Sequence, residues 1–178
     1  MLGEPRGSPS PEIGCTMDVC PGYDEPSSGI RLLADIAVRA LSPAVNDPTT
    51  AVQSLDQVED VLLRLSTRSL SDAWLLDGTG TTRVSYPAPQ WQDFVSLALD
   101  ETLLYGASNP QVARWLRALL ARVAAAAPAE RQPPVDERRN ALDRLVSAAA
   151  PDPLLRGISQ ATDPQGLGGP PSRDASGS

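Results

Sequence analysis

The sequence predicts a mostly α fold of about five helices and one short β-hairpin, with a disordered tail at each end. Three observations lead to this prediction. Apolar residues between positions 29 and 156 recur with the 3.6-residue period of an α-helix. Only four glycines, at positions 29, 78, 80 and 106, interrupt this region. Residues 1–28 and 157–178 are instead rich in proline, glycine and serine and show no apolar period, which is typical of disordered segments.

The first two helices are predicted on either side of a proline-containing turn. The first covers about residues 29–41, and Pro43 ends it. The second begins at Pro48, because Asp47 is a favourable N-cap and proline is favoured at the first helical position. Each has one apolar face: Ile30, Leu33, Ile36, Ala37, Ala40 and Leu41 in the first, and Ala51, Leu55, Val58, Leu62 and Leu65 in the second.

The hairpin and three further helices follow along the chain. Residues 74–76 and 83–86 flank the turn-forming sequence Asp-Gly-Thr-Gly, which predicts the hairpin. Helices are predicted over about residues 90–105, 110–127 and 135–150, and together the five helices predict a helical domain at residues 29–156. Their apolar faces are Trp91, Phe94, Ala98 and Tyr105, then Val112, Leu116, Leu119, Leu120 and Val123, then Leu142, Leu145 and Val146.

The composition excludes many familiar enzymes. Histidine and lysine are absent from the 178 residues, so all 15 basic residues are arginine. This excludes Ser-His-Asp and Cys-His nucleophiles, histidine-ligated zinc, Schiff-base lysines and the P-loop lysine. The two thiols, Cys15 and Cys20, are too few for a structural zinc site. We therefore expect no catalytic residue, no metal and no cofactor, and the interpretation leans away from an enzyme.

Charge and hydropathy restrict the partners and the location. A net charge of -7 argues against nucleic acid, whose binding needs a basic face. The longest uncharged stretch, residues 102–113, has 12 residues, whereas a membrane-spanning helix needs about 20 apolar ones. No apolar signal segment follows Met1. The chain as given is therefore predicted to lack a transmembrane segment and to be cytoplasmic.

The densest group of polar residues lies in and around the turn between the first two helices. Arg31, Asp35 and Arg39 are four residues apart, so one carboxylate can sit between two guanidiniums. The polar residues that follow crowd the start of the second helix, where free N–H groups favour an anion. Two interpretations stay open: a helix corner capped by Asp47, and a site for a ligand or partner. The candidate residues are Arg31, Asp35, Arg39, Ser42, Asn46, Asp47, Thr49 and Thr50.

Other side chains offer further chemistry. The acidic pairs Asp56 with Asp60 and Asp100 with Glu101 could contribute to a magnesium site if a second set of carboxylates converged on them. A serine nucleophile at Ser42 with a carboxylate base lacks an imidazole between them. The predicted fourth helix carries arginines on its polar face, which is predicted to be solvated, and contact with anionic lipid or an acidic partner is the alternative. These arginines are Arg114, Arg117 and Arg122.

Residues 29–51 resemble the signature of a bacterial family of predicted membrane proteins called domain of unknown function 2254. The similarity lies in the elements Gly-Ile-Arg, Asp-Ile-Ala, Arg-Ala-Leu-Ser-Pro, Asn-Asp-Pro and Thr-Ala. It continues more weakly at Tyr86-Pro87, at Tyr105-Gly106 and in the leucine-rich fourth helix, so that it extends over about residues 24–150. The resemblance implies no known activity.

The resemblance also has departures. Members of the family carry several transmembrane helices ahead of this region, and an aromatic residue where this chain has Ser27 and Ser28. The resemblance therefore implies a C-terminal portion without those helices, which would be membrane-associated if they were restored. The Pro- and Ser-rich opening looks foreign to the family.

Three functional hypotheses follow. The first is a soluble, non-enzymatic domain for assembly or regulation, whose partner is a second copy or a membrane domain. The alternative is a domain that senses a small ion or ligand at the corner formed by residues 42–50. The third, a carboxylate-based hydrolase, requires two of the acids Asp35, Asp47, Asp56 and Asp60 to converge in a pocket.

Overall fold

The computed structural model describes residues 26–70, 73–76, 79, 81–86 and 88–161. Most of the predicted tails at 1–28 and 157–178, namely residues 1–25 and 162–178 with Cys15 and Cys20, lies outside the described residues, whereas residues 26–28 and 157–160 are helical. A single 3₁₀ turn, Ala129–Arg131, precedes the fifth helix. The helices are α1 Pro26–Ala40, α2 Pro48–Ser66, α3 Trp91–Gly106, α4 Pro110–Ala126, α5 Gln132–Ala149 and α6 Pro153–Gln160.

Side-chain caps set the starts of α2 and α4. Asp47 accepts a hydrogen bond from the backbone N–H of Thr50, and Pro48 occupies the first turn. Asn109 Oδ1 accepts from the backbone N–H groups of Gln111 and Val112, 3.0 and 3.3 Å away. Both caps satisfy N–H groups that have no partner within the helix. The predicted starts at positions 48 and 110 are confirmed.

The predicted fold class needs correction. The fold is mostly α as expected, but within the described residues it has six helices and not the predicted five. In the connection between α2 and α3, β1 Ala73–Leu76 and β2 Thr82–Tyr86 pair with each other as a two-stranded antiparallel ladder. The register is irregular between Leu75 and Leu76. A ladder of two strands is too small to define the architecture, which the helices determine.

The helix that the sequence analysis missed is α6. Asp152 Oδ1 accepts from the backbone N–H groups of Leu154 and Leu155, and the helix continues through Gly157 to Gln160. Its eight residues are too few to show a helical period, and glycine is a weak helix former, so the sequence predicts a tail from residue 157, within what is α6. At the other end, α1 begins at Pro26, three residues before the predicted start.

The core lies where the apolar faces of the helices meet. α1 packs on α2 and α3, whereas α4 packs on α2, α5 and α6. The predicted faces of α2 and α4 are buried completely, and Trp115 is the largest fully buried side chain. Two predicted core residues are wrong, because Ile36 is 40% exposed and Tyr105 is 52% exposed. These two exposed side chains leave apolar surface on α1 and α3.

Candidate functional site

The turn between α1 and α2 is a closed corner held by its own backbone. The N–H of Asp47 donates to the carbonyl of Ala40 over 2.8 Å, so the end of α1 and the start of α2 are joined directly. The carbonyl of Ser42 accepts from the N–H groups of Val45 and Asn46. Asn46 has a φ of 47°, a left-handed conformation that asparagine adopts more readily than most residues. The corner is therefore a defined turn.

Asp47 is fully engaged at the start of α2. Its Oδ1 accepts from the N–H of Thr50 at 3.1 Å, and its Oδ2 accepts from the hydroxyl of Thr50 at 2.6 Å. The hydroxyl hydrogen bond, followed by the backbone one, lowers the pKa of Asp47 below its ordinary value. The carboxylate therefore lies where an external anion would bind, which favours the interpretation of a capped corner over that of an anion site.

The three charged residues of α1 do not form the arrangement that their spacing suggests. Arg31 Nε lies 3.1 Å from Asp35 Oδ1, and Arg31 Nη1 lies 2.9 Å from Glu101 Oε1 in α3. The hydrogen bond to Glu101 is the main reason that the pKa of Arg31 is raised. Among the described residues, Arg39 has no ion-pair partner. Asp35 is therefore paired with one arginine only, and Arg39 could still pair with an acid of another chain.

A groove of about 360 Å³ lies between α1 and the corner. Three of its side chains are apolar and exposed: Leu32 at 62%, Ile36 at 40% and Val45 at 55%. Four of the eight predicted site residues line it, whereas Arg31 contacts α3 and Ser42, Asn46 and Thr49 are not among its lining residues. The predicted polar site is thus an apolar groove with a charged rim. Its lining is Leu32, Asp35, Ile36, Arg39, Ala40, Val45, Asp47 and Thr50.

The carboxylates of this region give little support to metal or acid–base chemistry. Within the described ranges, no group of three or more acidic or thiol side chains is placed to hold a metal ion. Asp35 is bound by Arg31, and Asp47 is held in its ionised form by Thr50. Asp56 lies on α2, where burial raises its pKa. A hydrolase would need a free acid and a free base facing one substrate, and the two carboxylates of the groove are both engaged.

Two arginines of α4 join it to neighbouring helices, a role that the sequence did not predict. Arg122 in α4 pairs with Glu59 in α2, and Arg117 Nη1 lies 2.6 Å from Asp143 Oδ1 in α5. The predicted solvated face of α4 is therefore wrong for Arg117, which is 16% exposed, whereas Arg122 is both paired and 40% exposed. One signal was present: Glu59 lies on the buried face of α2, between Val58 and Leu62, and a charge in such a position requires a partner.

Two further arginines act in the same way near α3. Arg138 in α5 donates to both carboxylate oxygens of Asp100 and to the hydroxyl of Ser96, both in α3. Arg131 donates to the carbonyls of Leu65, Ser66 and Arg68, so its guanidinium caps the C-terminal end of α2. Guanidinium donors suit the unpaired carbonyls at a helix C-terminus. Arginine is therefore used here chiefly to connect helices.

None of the described helices is both long and apolar enough to span a membrane. The comparison with family models matches residues 22–122 to the family described as predicted membrane protein (DUF2254). This segment includes the corner and every residue that lines the groove.

Three relatives are similar to part of this chain. An uncharacterized protein of Mycobacterium bovis and two of Mycobacterium tuberculosis are each 36% identical over 96 residues. The match covers 54% of this chain and 18% of each relative, so the chain corresponds to a small part of those proteins. No solved structure matches the chain.

Proposed function

Because the chain belongs to the DUF2254 family of predicted membrane proteins, we propose that it is a non-enzymatic assembly domain that associates with another copy of itself. The contact surface is the groove between α1 and the corner. One observation carries the proposal: both carboxylates of the groove, Asp35 and Asp47, have partners within the chain, whereas the apolar side chains beside them are exposed.

The exposed side chains supply the driving force for association. Single exposed leucines are common on protein surfaces and need no explanation. Here Leu32, Ile36 and Val45 line one groove, so a single partner can cover all three. Complete burial of such a side chain is worth about 1.5–3 kcal/mol relative to full exposure. The groove therefore provides enough apolar surface for a modest but specific contact.

The ion-sensing alternative lacks a supporting observation of this kind. Its ligand would use the N–H groups at the start of α2, and the carboxylate of Asp47 already binds there. A ligand at 100 times its dissociation constant adds about 2.7 kcal/mol of stability. Because the Asp47 carboxylate already occupies these N–H groups, we expect phosphate, sulfate, Mg²⁺ and Ca²⁺ to leave the melting temperature unchanged at millimolar concentration. A rise of several degrees with any of them would favour sensing.

The proposal concerns this domain and not a whole family member. The matched region makes up 18% of each relative, so the proposal covers only this part of such a protein. In a membrane protein, a domain that pairs with its own copy would bring two membrane-embedded parts together. We propose this as the role of the domain.

Sedimentation velocity over a range of concentrations tests the proposal. We expect the mass of the wild-type chain to rise toward that of a dimer, and Ile36→Asp to remain monomeric because a charge in the contact is costly. Leu154→Asp, on the exposed face of α6, is the matched control and should associate like the wild type. Circular dichroism confirms that each variant is folded.

Two results would overturn the proposal. One is a wild-type chain that stays monomeric at millimolar concentration, which would leave a membrane domain as the candidate partner. The other is a dimer that Ile36→Asp and Leu154→Asp weaken equally, because the contact would then lie elsewhere.

A further inference from the structure

We infer that two copies pack their α1 helices antiparallel about a twofold axis close to Ile36, with Arg39 of each copy paired to Asp35 of the other. This inference rests on the proposed self-association and specifies its geometry. It follows from the order of apolar and charged residues along one exposed face of α1, which comprises Leu32, Asp35, Ile36 and Arg39.

The spacing along α1 suits a twofold arrangement. When two antiparallel helices are centred at position 37, Arg39 of one copy lies opposite Asp35 of the other. Ile36 then lies one residue from the axis, where it meets the same residue of the second copy. With a rise of about 1.5 Å per residue, Leu32 is displaced from the centre toward the corner of the second copy, where Val45 is exposed. Each apolar side chain thus has an apolar neighbour.

In a single copy the charged side chains of the groove are only partly paired, and a second copy would supply the missing partners. Asp35 Oδ1 is bound by Arg31, whereas Asp35 Oδ2 has no hydrogen bond among the described residues. An ionised carboxylate can accept several donors, so it has room for a second guanidinium. Arg39 is an exposed cation without an ion pair in the described part of the chain. Arg39 of the second copy therefore completes the placement of Asp35 between two arginines.

A second copy fits this surface better than an unrelated partner. The surface carries both signs of charge around its apolar centre, and a twofold axis brings each sign opposite the other. A purely acidic partner would meet Asp35 and Asp47 with like charge, and a purely basic one would do so at Arg39. A purely apolar partner would bury the cation of Arg39 without compensation. Only a surface that carries both signs of charge in the matching order is compatible with the acids, with Arg39 and with the apolar centre.

Charge reversal in two separate chains tests this geometry. In a dimer of Arg39→Asp, the acid at position 39 of each copy faces Asp35 of the other. In a dimer of Asp35→Arg, the arginine at position 35 of each copy faces Arg39 of the other. We expect each variant alone to dimerise more than tenfold more weakly than the wild type. An equimolar mixture should form a heterodimer of near wild-type affinity, because both pairs are then opposite in sign. Arg144→Asp, an exposed position on α5, is the control and should dimerise normally.

Sedimentation velocity with a fluorescent label on one variant distinguishes the outcomes. A labelled Arg39→Asp chain that moves to dimer mass only when Asp35→Arg is added supports the inference. A mixture that stays monomeric, or variants that dimerise alone like the wild type, overturns it. If Ile36→Asp abolishes the dimer while the mixture fails, self-association through the groove stands and only the twofold register is wrong.

Discussion

Arg122 in α4 holds Glu59 in α2 through two nitrogens of its guanidinium, with Nη2 2.6 Å from Oε2. The side chain of Glu59 is only 9% exposed, whereas that of Arg122 is 40% exposed. The guanidinium also lies over the ring of Trp115, 5.9 Å from its centroid. Because the acid is nearly buried, it is shielded from solvent and is held by this arginine, and the pair links α2 to α4 at the edge of the core.

Removing the arginine should therefore be costly. We expect Arg122→Met to lower the free energy of unfolding by about 2–3 kcal/mol in urea titrations, because it leaves a buried carboxylate unpaired. The double variant Glu59→Leu with Arg122→Met should recover most of this loss, since neither charge then remains. Arg64→Met, at an exposed position on α2, is the control and should change the stability by less than about 0.5 kcal/mol. Equal effects at Arg64 and Arg122 would contradict this account of the pair.

Arg117 should respond in the opposite direction. Its side chain is 16% exposed, and its Nε and Nη2 have no hydrogen-bond partner among the described residues, although Nη1 pairs with Asp143. Two unsatisfied buried donors are expensive, and the side chain of Asp143 is 46% exposed and can be solvated alone. We expect Arg117→Met to leave the urea midpoint unchanged or to raise it. A loss comparable with that of Arg122→Met would show that Arg117 has partners that this structure does not contain.

Two glycines in helices should differ in their tolerance of alanine. A Cβ at Gly106 would lie 2.6 Å from Val112 Cγ1 and 3.3 Å from Leu116 Cδ1, at the point where α3 meets α4. We expect Gly106→Ala to cost about 1–3 kcal/mol through overpacking. A Cβ at Gly157 would meet nothing within 4 Å, so Gly157→Ala should be neutral or slightly stabilising. Thermal unfolding of both variants checks this contrast, and a neutral Gly106→Ala would refute the close approach.

The cap at Asp47 should give a pH-dependent contribution to stability. Its pKa is lowered in the folded chain by the hydroxyl and N–H of Thr50, so folding favours the ionised carboxylate. That contribution is complete above the pKa of an unfolded aspartate, about 3.9, and disappears as the pH falls through the lower folded value. We expect Asp47→Ala to lower the melting temperature by about 2–5 °C between pH 5 and 8.

The same comparison at acid pH tests the cause. The difference in melting temperature between the wild type and Asp47→Ala should shrink below pH 4. Asp47→Asn serves as the control, because asparagine is also a good N-cap but does not titrate. A difference that stays constant down to pH 2.5 would show that ionisation of Asp47 does not contribute.

The elements that could be predicted depend on local chemistry. Asp47 and Asn109 are followed by proline, and this order marked the starts of α2 and α4 correctly. The apolar faces of these two helices were also correct, because each helix packs against others along its whole apolar stripe. The mostly α character was therefore accessible from local sequence patterns, and the family from the similarity of residues 29–51.

The parts that could not be predicted depend on contacts distant in sequence. The apolar arc of α1 is broad, but α1 contacts mainly α2 and α3, so Ile36 at the edge of the arc remains exposed. The partner of Arg31 is Glu101, 70 positions away, and no helical spacing indicates it. The predicted placement of Asp35 between Arg31 and Arg39 of the same helix is wrong, because among the described residues only Arg31 pairs with Asp35. The groove is formed by α1 together with the corner, so no local sequence pattern indicates it.

Chemical cross-linking near the proposed axis tests the central claim most directly. With Cys15 and Cys20 replaced by serine, Ile36→Cys places a single thiol next to its equivalent in the second copy, whereas Leu154→Cys places one on α6. A short bismaleimide should convert Ile36→Cys to a covalent dimer at concentrations at which the wild type associates, and should leave Leu154→Cys monomeric. Efficient cross-linking at position 154 with none at position 36 would contradict assembly through α1.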